Sequence, residues 1–147
     1  MAQSVLIVDD EAGTRDMLRM LLELDGFTVF EAEDGEDALD QVDENHPDVI
    51  ILDVMMPILD GISVCKELRK APETANVPII MLSGKTQSSA VTEGLEAGAN
   101  LYMAKPMSVD ELLTNIRDVL NDDSESGVMT EEGRARKKRA IWASSKH

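Results

Sequence analysis

Val49-Ile50-Ile51-Leu52-Asp53 is the stretch that decides the fold: four aliphatic residues in a row, closed by an acid. A strand with one wet face alternates apolar and polar side chains, whereas a strand aliphatic at every position has both faces covered, as in a parallel sheet between layers of helices. Ile79-Ile80-Met81-Leu82 repeats the pattern. Working outward, Val5 to Val8, Phe27 to Glu31 and Asn100 to Met103 read as three more strands. Helical stripes alternate with them: Met17, Leu18, Leu21 and Leu22; Ala38, Leu39 and Val42; Ile62, Cys65 and Leu68; Val91 and Leu95; then Leu112, Leu113, Ile116 and Leu120. Gly26 and Gly98 stand where helices should end, Pro72 and Pro78 fall at tolerated boundaries, and Ser108 with Glu111 makes a capping-box pattern. Right-handed crossovers on this repeat give an α/β fold, a doubly wound five-stranded parallel sheet for which the order 2-1-3-4-5 is one of two common solutions. In that order the first and third strands are neighbours.

The 147 residues carry 14 basic and 29 acidic side chains, a formal charge of −15, and 43% are hydrophobic. A chain of this size buries roughly 70% of the surface its unfolded form exposes, so one domain needs neither disulfides nor a structural metal. Cys65 is the only cysteine, which fits a reducing compartment. Apolar runs fall far short of a membrane span and the start of the chain lacks a targeting pattern, so the expectation is a soluble, cytoplasmic protein with no membrane partner. Charge divides unevenly: residues 1–120 hold 8 basic and 24 acidic side chains, residues 121–147 hold 6 and 5. We expect a folded domain over 1–121, then a linker and basic tail over 122–147, partly disordered or a short helix, with Trp142 as a docking anchor. The acidic body repels phosphate, and the tail is too short for a helix-turn-helix unit, so direct DNA binding is not expected.

Ligands in open α/β sheets bind at the carboxyl ends of the strands, beside the point where strand order reverses. The first strand ends in Asp9-Asp10-Glu11 and the third in Asp53, so neighbouring tips bring at least three carboxylates into one crevice. Each pair ~4 Å apart costs about 4 kcal/mol at an effective dielectric of ~20. Three such pairs approach ~10 kcal/mol, against a typical whole-domain stability of ~5–15 kcal/mol. Positive charge must sit among them, and hard oxygen ligands with room for water suit Mg²⁺. Taken singly, Asp10 could cap the first helix and Asp53 could be a solvent-facing acid, but capping alone explains so repulsive a group poorly. The fourth strand ends in Ser83-Gly84 and the fifth is followed by Lys105-Pro106. A hydroxyl, an amide and an ammonium suited to a phosphoryl group therefore fall after successive strands.

Together, Asp9-Asp10-Glu11, Asp53-Val54-Met55-Met56-Pro57 running on to Asp60-Gly61, Ser83-Gly84 and Lys105-Pro106 resemble the receiver domain of two-component response regulators, over about residues 3–121. The resemblance implies a flavodoxin-like fold, in a single-domain form similar to the chemotaxis regulators. It implies that Asp53 accepts a phosphoryl group from a histidine kinase or histidine phosphotransferase. Asp10 and Asp53 would bind Mg²⁺ directly, Asp9 through water, and the backbone carbonyl of Met55 would be a third protein ligand. Lys105 would pair with the phosphoryl group, with Ser83 and Gly84 beside it. The resemblance further implies a switch through Ser83 and Tyr102, a cis Lys105-Pro106 bond, and an output face on the fourth helix, fifth strand and fifth helix, read by an unidentified protein.

On that reading the chain is a signalling switch rather than an enzyme, one that catalyses its own phosphorylation and slow dephosphorylation. Asn100-Leu101 stands where many receivers have an acidic pair and Met107 where an aromatic is frequent, so altered partner contacts are expected. Met55 and Lys85 flank the phosphorylation site, and the lifetime of the modified state is left open. Met55, Met56 and Met81 read as packing residues. A phosphatase of the haloacid-dehalogenase kind is the rival reading, with an Asp nucleophile, Mg²⁺, a Ser or Thr and a Lys. That family places its nucleophile after the first strand in a DxD spacing, which Asp9-Asp10-Glu11 lacks.

Overall fold

The computed structural model describes residues 2–85 and 87–125. Strands β1 (Ser4–Val8), β2 (Thr28–Ala32), β3 (Val49–Asp53), β4 (Ile79–Ser83) and β5 (Leu101–Ala104) alternate with helices α1 (Ala12–Leu24), α2 (Gly35–Asn45), α3 (Gly61–Lys70), α4 (Ser88–Ala97) and α5 (Val109–Glu125). Every pairing is parallel, and the order is β2-β1-β3-β4-β5, as expected. β3 and β4 are buried at every residue, which is what their unbroken aliphatic runs require. With right-handed crossovers, the change of direction after β2 places α1 and the next three helices on opposite faces. α5 returns beside α1, where Arg117 reaches Asp25.

Local chemistry sets the helix limits. α2 and α3 begin at Asp34 and Asp60, whose carboxylates each accept a backbone N–H, from Asp37 and Ser63, at 2.8 Å. Gly26 and Gly98 take left-handed backbone after α1 and α4, at φ +96° and +119°. His46 does the same after α2 at φ +46°, where no glycine signals it. Gly61 opens α3 hard against β3: a Cβ there would lie 2.8 Å from Val54 Cα and closer still to the Asp53 carbonyl oxygen. Only glycine lets this helix start directly behind the tip of β3.

Three boundaries differ from expectation for identifiable reasons. Phe27 precedes β2 because its N–H bonds the Leu22 carbonyl and finishes the end of α1. Asn100 precedes β5, and its side-chain oxygen accepts from the Ile79 N–H and from Arg69. Asn100 therefore also serves as an internal bracket between the start of β4 and Arg69. α5 continues to Glu125, past the boundary set at 121, because no glycine or proline interrupts residues 121–125 and an established helix propagates through polar residues at little cost. The remainder of the expected basic tail, Trp142 included, lies outside the described residues. Among the described residues no helix is long and apolar enough to cross a membrane.

Candidate functional site

The strand ends place the acids. Asp53 is the last residue of β3. Asp9 follows β1 directly, its N–H still bonded to the Ala32 carbonyl on β2 at 3.2 Å. One carboxylate oxygen from each of Asp9, Asp10 and Asp53 lies within 4.8 Å of the others. Asp9 and Asp53 are buried, at 2% and 6% exposure, so Asp53 is not a solvent-facing acid. Asp10 is exposed and does not cap α1, whose cap position is Glu11 with no side-chain bond.

Lys105 stands between the buried pair, its Nζ 3.0 Å from Asp9 Oδ2 and 3.3 Å from Asp53 Oδ2. Backbone groups hold the other oxygens: Asp9 Oδ1 accepts from the Glu11 N–H at 2.9 Å and Asp53 Oδ1 from the Met55 N–H at 3.1 Å. Burial pushes the Asp53 carboxyl above its ordinary range, and the Asp9 charge adds to this; Lys105 and the Met55 N–H offset only part. Burial also works against the Lys105 ammonium, yet its hydrogen bond to Asp9 and the charges of both acids outweigh that and raise its pKa. One ammonium thus pairs with two carboxylates, and Asp10 adds a third beside them. The donors are all hard oxygens, the cluster opens to solvent through Asp10, and negative charge remains in excess, so the residues fit Mg²⁺ with retained waters.

Beside this cluster, Ser83 ends β4 fully buried, and its Oγ accepts from the Lys85 N–H at 3.0 Å. Tyr102, on β5, is a core residue at 1% exposure, and its hydroxyl donates to the Lys85 carbonyl at 2.7 Å. Ser83 and Tyr102 therefore grip the two backbone groups of one residue. The Tyr102 ring closes over Gly94, where a Cβ would lie 2.7 Å from Tyr102 Cδ2. Around Gly84 a Cβ would meet nothing within 4 Å, so close packing is not the reason for that glycine. Lys105-Pro106 is cis, and the Lys105 N–H donates to the Ser83 carbonyl at 2.9 Å, which ties the tip of β5 to that of β4. Met56 and Met81 pack in the core as expected, but Met55 is 54% exposed and does not. Arg15 escaped the sequence reading: its Nη1 donates to the Asp9 carbonyl at 2.6 Å and its Nε to Glu31 at 3.2 Å. Its partners follow β1 and lie on β2, and spacing along α1 carries no trace of them.

The response regulator receiver domain model matches residues 5–117. The chain belongs to this family. This receiver is 41% identical over 131 residues to Response regulator MprA of Mycobacterium avium, across 86% of this chain and 57% of that protein. The chain thus spans little more than half the length of such relatives. Among solved structures it is similar to the receiver domain of the Francisella response regulator 1452, at 37% identity and a TM-score of 0.76, covering 82% of this chain and 98% of that one. It is also similar to the Vibrio cholerae chemotaxis protein CheY4, at 34% identity and a TM-score of 0.77, covering 81% and 99%. As a receiver domain it belongs to two-component signalling, in which histidine kinases phosphorylate the receiver on an aspartate. Membership sets aside the dehalogenase-type reading. Since the curated relatives extend past the matched region, the brevity of the tail carries no weight against an attached DNA-binding unit.

Proposed function

We propose that Asp53 is the phosphoacceptor of this receiver, and that Asp10 and Asp53 hold Mg²⁺ directly, with Asp9 through water and the Met55 carbonyl as a further ligand. The donor is the phosphohistidine of a histidine kinase or histidine phosphotransferase. An Asp53 carboxylate oxygen forms the new bond to phosphorus as the bond from phosphorus to the imidazole nitrogen breaks; the imidazole leaves with that electron pair and takes a proton from solvent. Two features favour Asp53: burial has stripped water from its carboxylate, and the Met55 N–H and Lys105 fix its plane. A bound divalent cation supplies positive charge to the phosphoryl oxygens. Lys105, already between Asp9 and Asp53, exchanges a carboxylate for a phosphoryl oxygen, and the Gly84 amide lies at the same strand ends. Water later cleaves the acyl phosphate, so the receiver catalyses both its own modification and its slow reversal.

The modified state is read through Lys85. A phosphoryl oxygen on Asp53 draws the Ser83 hydroxyl, the Lys85 N–H loses its acceptor, and Tyr102 is disturbed through the Lys85 carbonyl. Tyr102 packs against Gly94 of α4, so the change arrives at α4, β5 and α5, where an output protein binds in the cytoplasm.

The observation that carries this reading is the convergence of Asp9, Asp10 and Asp53, with Lys105 between Asp9 and Asp53. Incubation with acetyl phosphate and Mg²⁺, followed by phosphopeptide mapping, is expected to place an alkali-labile label on Asp53, with one phosphoryl group per chain and none after Asp53→Asn. A label on another residue, or catalytic turnover of an added phosphomonoester, would overturn it.

A further inference from the structure

We propose that Arg15 is the positioning residue for Asp10, acting through the peptide bond that joins Asp9 to Asp10; this rests on the Mg²⁺ site proposed above. The three acids are not held alike. Asp9 is fixed by Lys105 and the Glu11 N–H, and Asp53 by Lys105 and the Met55 N–H. The Asp10 carboxylate has no hydrogen bond or ion pair of its own among the described residues, so its aim depends on its backbone. That backbone is clamped: Arg15 Nη1 donates to the Asp9 carbonyl oxygen at 2.6 Å, which sets the plane of the Asp9-Asp10 peptide.

The clamp is anchored in turn. Arg15 Nε bonds Glu31 Oε1 at 3.2 Å, and Arg19, one turn further along α1, bonds Glu31 Oε2 at 2.5 Å. Glu31 lies on β2, paired in register with Ile7 of β1, so the chain of contacts runs from sheet to helix to the loop carrying Asp10. The Arg15 side chain is only 15% exposed, and the Glu31 side chain 22%. A guanidinium can serve a carbonyl and a carboxylate at once because its donors are fixed in a fork, which an ammonium cannot reproduce.

The test is a Mg²⁺ titration of the full chain by calorimetry, with the cation alone, alongside thermal melts with and without Mg²⁺. Groups that orient a metal ligand without touching the metal are worth roughly tenfold in affinity, so Arg15→Ala is expected to weaken Mg²⁺ binding by about that factor at a temperature where it remains folded. Arg15→Lys is expected to restore only part. Arg19→Ala, which removes the neighbouring ion pairs but leaves the bond to the Asp9 carbonyl, is expected to lower the melting temperature without moving the affinity. Equal Mg²⁺ affinity in Arg15→Ala and the parent overturns this proposal alone. Failure of the parent itself to bind Mg²⁺ overturns it together with the site reading beneath it. Should Arg15→Ala not fold, Arg15→Lys makes the same comparison with the charge kept and the fork gone, and an affinity there equal to the parent's is again contrary.

Discussion

Lys105 Nζ lies 3.3 Å from Asp53 Oδ2, a contact between the residue after β5 and the last residue of β3. With its second contact to Asp9, this ammonium is the positive charge that makes the crowded acids tolerable in the metal-free protein. Lys105→Met is therefore expected to destabilise that form by about 1–3 kcal/mol, since it leaves buried charge unpaired. Mg²⁺ should then stabilise the variant more than the parent, because the vacated crevice is more negative. Denaturant melts with and without Mg²⁺ check both effects, and labelling by acetyl phosphate should be slowed.

Asp53→Asn should stabilise the metal-free protein near neutral pH. The folded carboxyl is raised by burial above its ordinary value of 3.8, so its favourable contribution is full below that value and lost as pH rises through the folded pKa. The advantage of the variant should therefore shrink as pH is lowered toward 3.8, as the parent carboxyl takes up its proton. Melting temperatures measured across acid to neutral pH test the sign; a gap that widens on acidification would contradict it.

Tyr102 is the only tyrosine, so its ionisation can be followed by ultraviolet absorbance in the full chain. Burial first, with the charges of Glu93 and Asp53, holds the phenol above its ordinary 10.0, against an opposing contact from Ser83. The neutral phenol supports the fold fully below 10.0, and that support is lost as pH rises through the folded value. Gly94→Ala drives a methyl into the ring and Met81 Sδ. It should cost about 1–3 kcal/mol and, where the ring yields, bring the titration back toward its ordinary position.

Ile58 sits at φ +70° and is 89% exposed, a β-branched residue in left-handed backbone with no burial to offset the strain. Ile58→Gly relieves about 1–2 kcal/mol of strain, less ~0.5–1 kcal/mol for the greater freedom of glycine in the unfolded chain. A net gain of up to about 1.5 kcal/mol in denaturant unfolding is expected.

Much of this architecture was readable before any coordinates, because the sheet is covered on both faces and leaves unbroken aliphatic runs at β3 and β4. The same runs end in Asp53 and Ser83, so the strand tips and their chemistry were read from the same stretches. Less accessible were contacts that depend on which elements pack together. Arg15 meets the Asp9 carbonyl and Glu31 only once α1 lies over β1 and β2. The burial of Tyr102 depends on the absence of a side chain at Gly94, a helix away. Asn100 looked like a surface departure from a family pattern, and only the bond to Ile79 N–H shows it working inward. His46 takes a left-handed cap in spite of its side chain, so turn composition could not mark it.

The adjacency of β1 and β3 has a mechanical side. Asp9 and Asp10 belong to the first pass of the chain through the sheet and Asp53 to the third, and β1 is the only strand with which β2 pairs. A cation seated as proposed would act as a clasp across the β1–β3 seam, available only after those strands have zipped together. Stripping it with a chelator should then loosen that seam and, with it, the outermost ribbon β2, so amide protons along β2 would be the earliest to exchange.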